Sequence, residues 1–195
     1  MKNEIQSFMI ITSKSLDVSS LLKTVLCDFL KQCKIEYSFI SKEDYDFILL
    51  INDDISEDLK ETCESLLEDL DDEAIIFEGF RINKIKDVEK IYNCLKNHNY
   101  IGYLKMVDIA LKSSPEEIQT LKEIIRTKID NTYLKQIIFG MFKSNLNVSK
   151  AATIVYMHRN TINNKLDIIK KETGLDIQNF YESVAMYRLL KWGKV

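Results

Sequence analysis

The chain has 195 residues, 46% of them hydrophobic and 29% charged, which suffices for one ordinary core or two small ones but not three. One proline and five glycines exclude a collagen-like, proline-rich or flexible-linker protein. The formal charge of −3 is unevenly spread: residues 143–195 hold nine Lys and Arg against four Asp and Glu, a net of +5, leaving −8 on residues 1–142, so any nucleic-acid site belongs in the last quarter.

In chain order, residues 7–12 read as a buried strand. Residues 16–33 carry apolar side chains at 18, 21, 22, 25, 26, 29 and 30, a helical spacing with Asp17 as the expected cap. Strands follow at 37–40 and 45–51, joined by a polar Ser-Lys-Glu-Asp stretch. A helix over 56–70 places Leu59, Cys63, Leu66, Leu67 and Leu70 on one face. The acidic loop 69–73 reads as a solvated turn, since it lacks the alternating oxygens and central glycine of an EF-hand loop. A strand at 74–80 ends near Gly79, and a helix at 87–97 carries Val88, Ile91, Tyr92 and Leu95. A βαββαβ order closes most economically as a ferredoxin-like sandwich with both helices on one sheet face.

From Asn99 onward every segment reads as helix. Ser114-Pro115-Glu116-Glu117 is a capping-box start, followed by an apolar stripe of Ile118, Leu121, Ile124 and Ile125. A further helix over 131–143 carries Leu134, Ile137, Ile138, Met141 and Phe142. The expected class is α+β, with a sandwich over 1–100, connecting helices over 101–129 and an all-α domain over 130–195.

No apolar run approaches the roughly 20 residues of a membrane helix, and no signal-peptide block follows Met1, so a soluble, cytoplasmic protein is expected. Cys27, Cys33, Cys63 and Cys94 fit no zinc spacing and read as structural thiols, with Cys27 and Cys33 in one buried helical pattern.

Residues 147–174 carry the functional signal. Asn147 is placed to cap a short helix whose Ala151 and Ala152 let a second helix cross closely. Tyr156-Met157-His158 makes a short break with Met157 as its apolar plug. A second helix from about Arg159 buries Ile162, Leu166 and Ile169 and ends at Gly174. Two helices on so short a turn make a helix-turn-helix. The far face of the second helix presents Arg159, Asn160, Asn163 and Asn164, with Thr161 and Lys165 nearby. Arg reads guanine, Asn reads adenine, and Thr and Lys suit phosphates or thymine methyls. With Asn147, Ser149, Lys150 and His158 these complete the expected DNA-contacting set. The competing reading is a solvated helix in an all-α domain; charge, the Ala-Ala pair and the polar face coincide against it. No nucleophile accompanies His158, so no catalytic role is expected. The last helix, 176–192, places Ile177, Phe180, Val184, Tyr187 and Leu190 on one stripe packed behind the helix-turn-helix. Tyr181, Met186 and Trp192 lie off it, available to a dimer surface.

The stretch from Ala151-Ala152 through Met157-His158-Arg159-Asn160-Thr161-Ile162 and Lys165-Leu166, followed by Glu172-Thr173-Gly174-Leu175-Asp176, closely resembles the carboxy-terminal helix-turn-helix of PucR/CdaR-type bacterial transcription regulators. It also resembles the DNA-binding end of the factor for inversion stimulation. The resemblance covers about residues 130–192 and implies that Arg159, Thr161 and their neighbours enter the major groove. That family usually has an aromatic and an arginine where this chain has Asn164 and Lys165, so the contacts there are expected to differ.

In such proteins a GGDEF-like domain often precedes the helix-turn-helix, and the β-α-β-β-α-β order here is similar to one. The matching hairpin, Glu43-Asp44-Tyr45-Asp46-Phe47, lacks the paired glycines, and Thr12-Ser13 offers no metal-binding carboxylate. No Gly-rich phosphate loop is present. The implied module is a degenerate one that makes no cyclic dinucleotide and needs no cofactor or metal. The expectation is a homodimeric regulator of double-stranded DNA, with half-sites about 34 Å apart or a multiple of that. A protein adaptor or small-molecule sensor without specific DNA binding is the alternative, and an unidentified effector stays open. A residual nucleotide-binding enzyme ranks third, since it needs a metal or phosphate site.

Overall fold

The structure, a computed structural model, describes residues 7–42, 45–70, 74–96 and 100–190. The chain divides into two compact units, Met1–Lys105 and Met106–Val195.

The first unit is built on a five-stranded sheet. Its elements are β1 (Ser7–Ser13), α1 (Leu16–Gln32), β2 (Tyr37–Ser41), β3 (Phe47–Ile51), α2 (Glu57–Asp69), β4 (Ala74–Glu78), α3 (Ile85–Lys96) and β5 (Gly102–Leu104). The strand order is β2-β3-β1-β4-β5. β1 lies antiparallel to both β3 and β4, with Met9 opposite Leu49 and Glu78. The first four strands and two helices thus have the split βαβ connection of a ferredoxin-like sandwich. Both helices do bury on one sheet face: Val18, Leu22, Leu26 and Leu30 of α1 and Leu59, Cys63 and Leu67 of α2 share a core with Met9, Ile11, Leu49 and Ile76. Successive strand residues point to opposite faces. Phe8 and Phe77 therefore belong to the other face, where they lie 6.0 Å apart, centroid to centroid. Gly79 is required there, since a Cβ at that position would meet the Phe8 ring at 2.4 Å.

Several sequence expectations are corrected. Ser15 caps α1, its hydroxyl accepting from the Val18 N–H at 3.3 Å, and Asp17 lies inside the first turn, where its charge favours the helix dipole. Cys33 closes α1 as an exposed residue and Cys27 is half-buried; Cys63 and Cys94 are buried, and burial pushes the Cys63 thiol up to about 12. Residues 101–129 do not all form connecting helices: β5 adds a parallel strand to β4, pairing Ile76 with Tyr103. The Tyr103 phenol donates to Glu78 at 2.8 Å, and Lys105 pairs with the same carboxylate at 3.2 Å. A three-residue strand has no period to read; its partner specifies it.

The hairpin resemblance rests partly on Glu43 and Asp44, and the acidic loop on residues 71–73; these lie outside the described residues. The described end of the hairpin is tied inward. The buried Asp46 carboxylate accepts from the Ser13 N–H at 3.1 Å and the Tyr92 phenol at 2.9 Å, while Ser19 donates to the Tyr45 carbonyl at 2.6 Å. Asp46 therefore fastens β3 to β1 and α3.

The second unit contains α4 (Met106–Lys112), α5 (Pro115–Lys128), α6 (Thr132–Lys143), α7 (Val148–Ile154), α8 (Arg159–Thr173) and α9 (Phe180–Leu190). The capping box at Ser114 forms as its sequence predicts, with Glu117 reaching back to the Ser114 N–H at 2.9 Å. α4 and α5 both pack on α9, and α5 packs on α8. Arg188 of α9 donates to the Ala110 carbonyl at 2.9 Å and the Ser113 carbonyl at 2.8 Å, and also to that of Leu111. A guanidinium on the last carbonyls of α4 satisfies orphan acceptors and opposes the dipole's negative end.

The last helix keeps the expected period but not its phase. α9 starts at Phe180 and buries Ser183, Ala185, Met186, Leu189 and Leu190. Met186, expected off the stripe, is fully buried, whereas Phe180, Tyr181 and Tyr187 are 67%, 69% and 56% exposed and Val184 is exposed with them. Trp192 lies outside the described residues.

Candidate nucleic-acid interface

The interface is assembled by α6, α7 and α8. Asn147 caps α7, its side-chain oxygen accepting from the Lys150 N–H at 3.0 Å. Ala151 is fully buried and Ala152 nearly so. Opposite them, a Cβ on Gly140 of α6 would meet Val155 at 2.7 Å, so the crossing depends on small residues from both helices. Met157 half-plugs the turn, its N–H donating to the Ala152 carbonyl at 3.0 Å. α8 then buries Ile162, Leu166 and Ile169.

The caps of α8 account for much of the recognisable motif. His158 is the N-cap, its Nδ1 accepting from the Asn160 N–H at 3.2 Å, which puts a neutral ring's proton on Nε2. At the other end Gly174 sits at φ 68 and donates to the Lys170 carbonyl at 2.8 Å. The buried Thr173 hydroxyl donates to the Ile169 carbonyl at 2.6 Å and accepts from the Leu175 N–H at 3.2 Å. Lys170 pairs with Asp176 at 3.2 Å, and that hydrogen bond raises the lysine above its ordinary range. The Thr-Gly-Leu-Asp sequence is a helix stop, not a ligand-facing element.

Of the expected contact residues, Asn147, Ser149, Lys150, His158, Arg159, Asn160, Thr161 and Asn164 are exposed. Asn163 and Lys165 are half-buried on the flanks. At 100° per residue, the direction opposite Ile162 and Leu166 passes through Asn160, Asn164, Asp167 and Lys171, all exposed, with Ile168 beside them. Thr161 flanks this line at about 60°, while Arg159, exposed in the first turn, lies about 140° from it on the Leu166 side. Sequence reasoning passed over Asp167, Ile168 and Lys171; their spacing of i+7, i+8 and i+11 from Asn160 was the available signal.

Positive charge gathers in the stretch that leads into and opens α8. From residue 143 to 166 there is no Asp or Glu, while Lys143, Lys150, Arg159 and Lys165 are present. Lys150, Arg159 and Lys165 form no ion pair with a described residue. The interior cation Lys128 is instead spent on Glu172, at 3.2 Å, joining α5 to α8. Uncompensated cations on an exposed polar helix start are what a phosphate backbone attracts.

The unit also holds a cleft of about 250 Å³ lined by Arg126, Ile129, Asp130, Lys135 and Leu190, where Asp130 and Lys135 pair at 2.6 Å. Among the described residues no cluster of His, Cys, Asp and Glu is placed to hold a metal ion, and no helix is long and apolar enough to cross a membrane.

Comparison with known proteins places a helix-turn-helix family in this unit. Residues 137–192 match the family model of the PucR C-terminal helix-turn-helix domain, from within α6 through α9. Among solved structures, the chain is similar to a regulator of polyketide synthase expression from Bifidobacterium adolescentis, at 13% identity and a TM-score of 0.44, covering 98% of this chain and 81% of that one. No curated protein matches the chain. The carboxy-terminal unit therefore carries a PucR-type helix-turn-helix domain.

Proposed function

We propose that the protein is a non-catalytic, sequence-specific transcription regulator that binds double-stranded DNA as a homodimer. The observation that carries this reading is the exposed start of α8, where Asn160 and Asn164 line the outward face and neither Arg159 nor Lys165 forms an ion pair with a described residue. In this reading the first two turns of α8 enter the major groove. Arg159 and the asparagines read base edges, while Lys150, Ser149 and Thr161 hold phosphates. His158 and Asn147 act chiefly by fixing the starts of α8 and α7 through their caps.

One such helix offers too few base contacts for tight specific binding, hence the homodimer. The exposed Phe180, Tyr181, Val184 and Tyr187 of α9 supply its surface. The amino-terminal unit is read as a degenerate GGDEF-like module whose acidity keeps it off the DNA. Its hairpin carboxylate Asp46 is engaged by Ser13 and Tyr92.

The test is selection of genomic fragments by the purified protein at about 150 mM salt, where loose binding is already suppressed. A small set of fragments sharing a two-fold motif is the expected result. On that motif Arg159→Ala costs about 1–3 kcal/mol and relaxes the sequence preference. Lys150→Ala weakens all sequences alike and flattens the salt dependence. Recovery of random DNA, or of none, favours the adaptor.

A further inference from the structure

We infer that Tyr156 is an additional DNA contact of this domain, its phenol donating a hydrogen bond to a backbone phosphate beside the groove that α8 enters. The inference rests on the DNA-binding reading above and adds a residue that reading does not use.

Tyr156 lies between Val155, which ends α7, and His158, which caps α8. Its φ of 54 puts it in the left-handed region, where a Cβ is crowded and glycine or asparagine is the ordinary occupant. Leu146, the other bulky residue at such an angle in this unit, is half-buried. Tyr156 has no such compensation. It is 96% exposed, and its side chain makes no hydrogen bond or ring contact with any described residue. The turn itself is held by backbone bonds, Tyr156 N–H to the Thr153 carbonyl at 3.4 Å and Met157 N–H to the Ala152 carbonyl at 3.0 Å. Glycine would make the same bonds without the strain.

A tyrosine here therefore costs the fold conformational energy and exposes a large ring, with no intramolecular contact in return. Its position indicates what it serves. Two residues separate it from the start of α8, at most about 11 Å of backbone. It sits inside the stretch from 143 to 166 that lacks any acidic residue, so a phosphate approaching the turn meets no carboxylate of that stretch. A phenol is a neutral donor that commonly contacts DNA phosphates, and neutrality separates its contribution from that of the lysines.

The experiment compares the full-length wild-type, Tyr156→Gly and Tyr156→Phe proteins by fluorescence anisotropy on a mixed-sequence duplex at low salt, with thermal melts alongside. A phosphate contact is independent of sequence, so no operator is needed. Both variants are expected to bind about three- to tenfold more weakly, the effect of one hydrogen bond. The slope of affinity against salt stays at the wild-type value, because no cation is lost. Tyr156→Gly melts at or above the wild-type temperature. Wild-type affinity in both variants overturns the contact and leaves the DNA reading standing. Loss in Tyr156→Gly with wild-type affinity in Tyr156→Phe overturns the hydroxyl–phosphate assignment in favour of the ring. Loss accompanied by a lower melting temperature in Tyr156→Gly makes the residue structural and overturns the inference. A wild-type protein that binds no duplex at all overturns the DNA reading and this contact together.

Discussion

Asp46 and Tyr92 show how a single hydrogen-bonded pair organises the first unit. The carboxylate is buried, accepts from the Ser13 N–H at 3.1 Å and the Tyr92 phenol at 2.9 Å, and so links β1, β3 and α3. Burial and then the Asp46 hydrogen bond push Tyr92 up to about 12. The folded value thus lies above the unfolded one of about 10, so the contribution to stability is complete below pH 10 and is lost as pH climbs towards 12. Tyr92→Phe is expected to unfold in urea about 1–3 kcal/mol earlier at neutral pH, by leaving the carboxylate short of a donor. The gap between wild type and variant should close over the alkaline window; a gap that persists there removes Tyr92 as its source. The pair was not legible in the sequence. Asp46 stood out through the hairpin resemblance, but its partner is 46 residues away on α3, and only the tertiary fold brings the two together.

At the level of elements, long periodic segments were readable and short or terminal ones were not. α2, α5, α6 and α8 bury or half-bury the apolar stripes their spacing predicts, and α1 does so except at Leu21, which is exposed, because an amphipathic helix of three or more turns has one way to face a core. In the candidate site, the capping Asn147, the Ala-Ala crossing and the exposed line from Asn160 to Asn164 were legible on the same grounds. β5 was missed because three residues have no period. α9 was misphased for a different reason: Phe180, Val184 and Tyr187 look like a buried stripe by hydrophobicity alone, yet Arg188 must reach the carbonyls of α4. That anchor rotates the aromatics outward, and Phe142 stacks edge-on against Tyr187 at 5.6 Å while the rest of the face stays open. If this face joins two copies, Tyr181→Asp is expected to shift the protein from dimer to monomer in analytical ultracentrifugation with little change in melting temperature, since the ring is exposed in one chain. A dimer that survives the substitution relocates the interface.

On the scale of the whole molecule, charge divides with the two units. Lys and Arg outnumber Asp and Glu by five over residues 106–195 and are outnumbered by eight over residues 1–105. The first unit thus opposes a polyanion that the second attracts, and such opposition is screened over about 8 Å at physiological ionic strength. A fragment of residues 106–195 is therefore expected to bind a mixed-sequence duplex several-fold more tightly than the full chain at low salt, the two converging as salt rises. Equal affinities at low salt would show that the acidic unit exerts no influence.

The central place of β1 has a consequence for synthesis. Its apolar side chains, Phe8 to Ile11, are the first of the sheet to leave the ribosome, yet both neighbours of β1 come later in the chain, β4 ending only at Glu78. At about 5–20 residues per second the strand waits on the order of several seconds for its second partner. During that interval a sticky, unpaired segment depends on α1 folding over it, or on a chaperone, to stay out of aggregates.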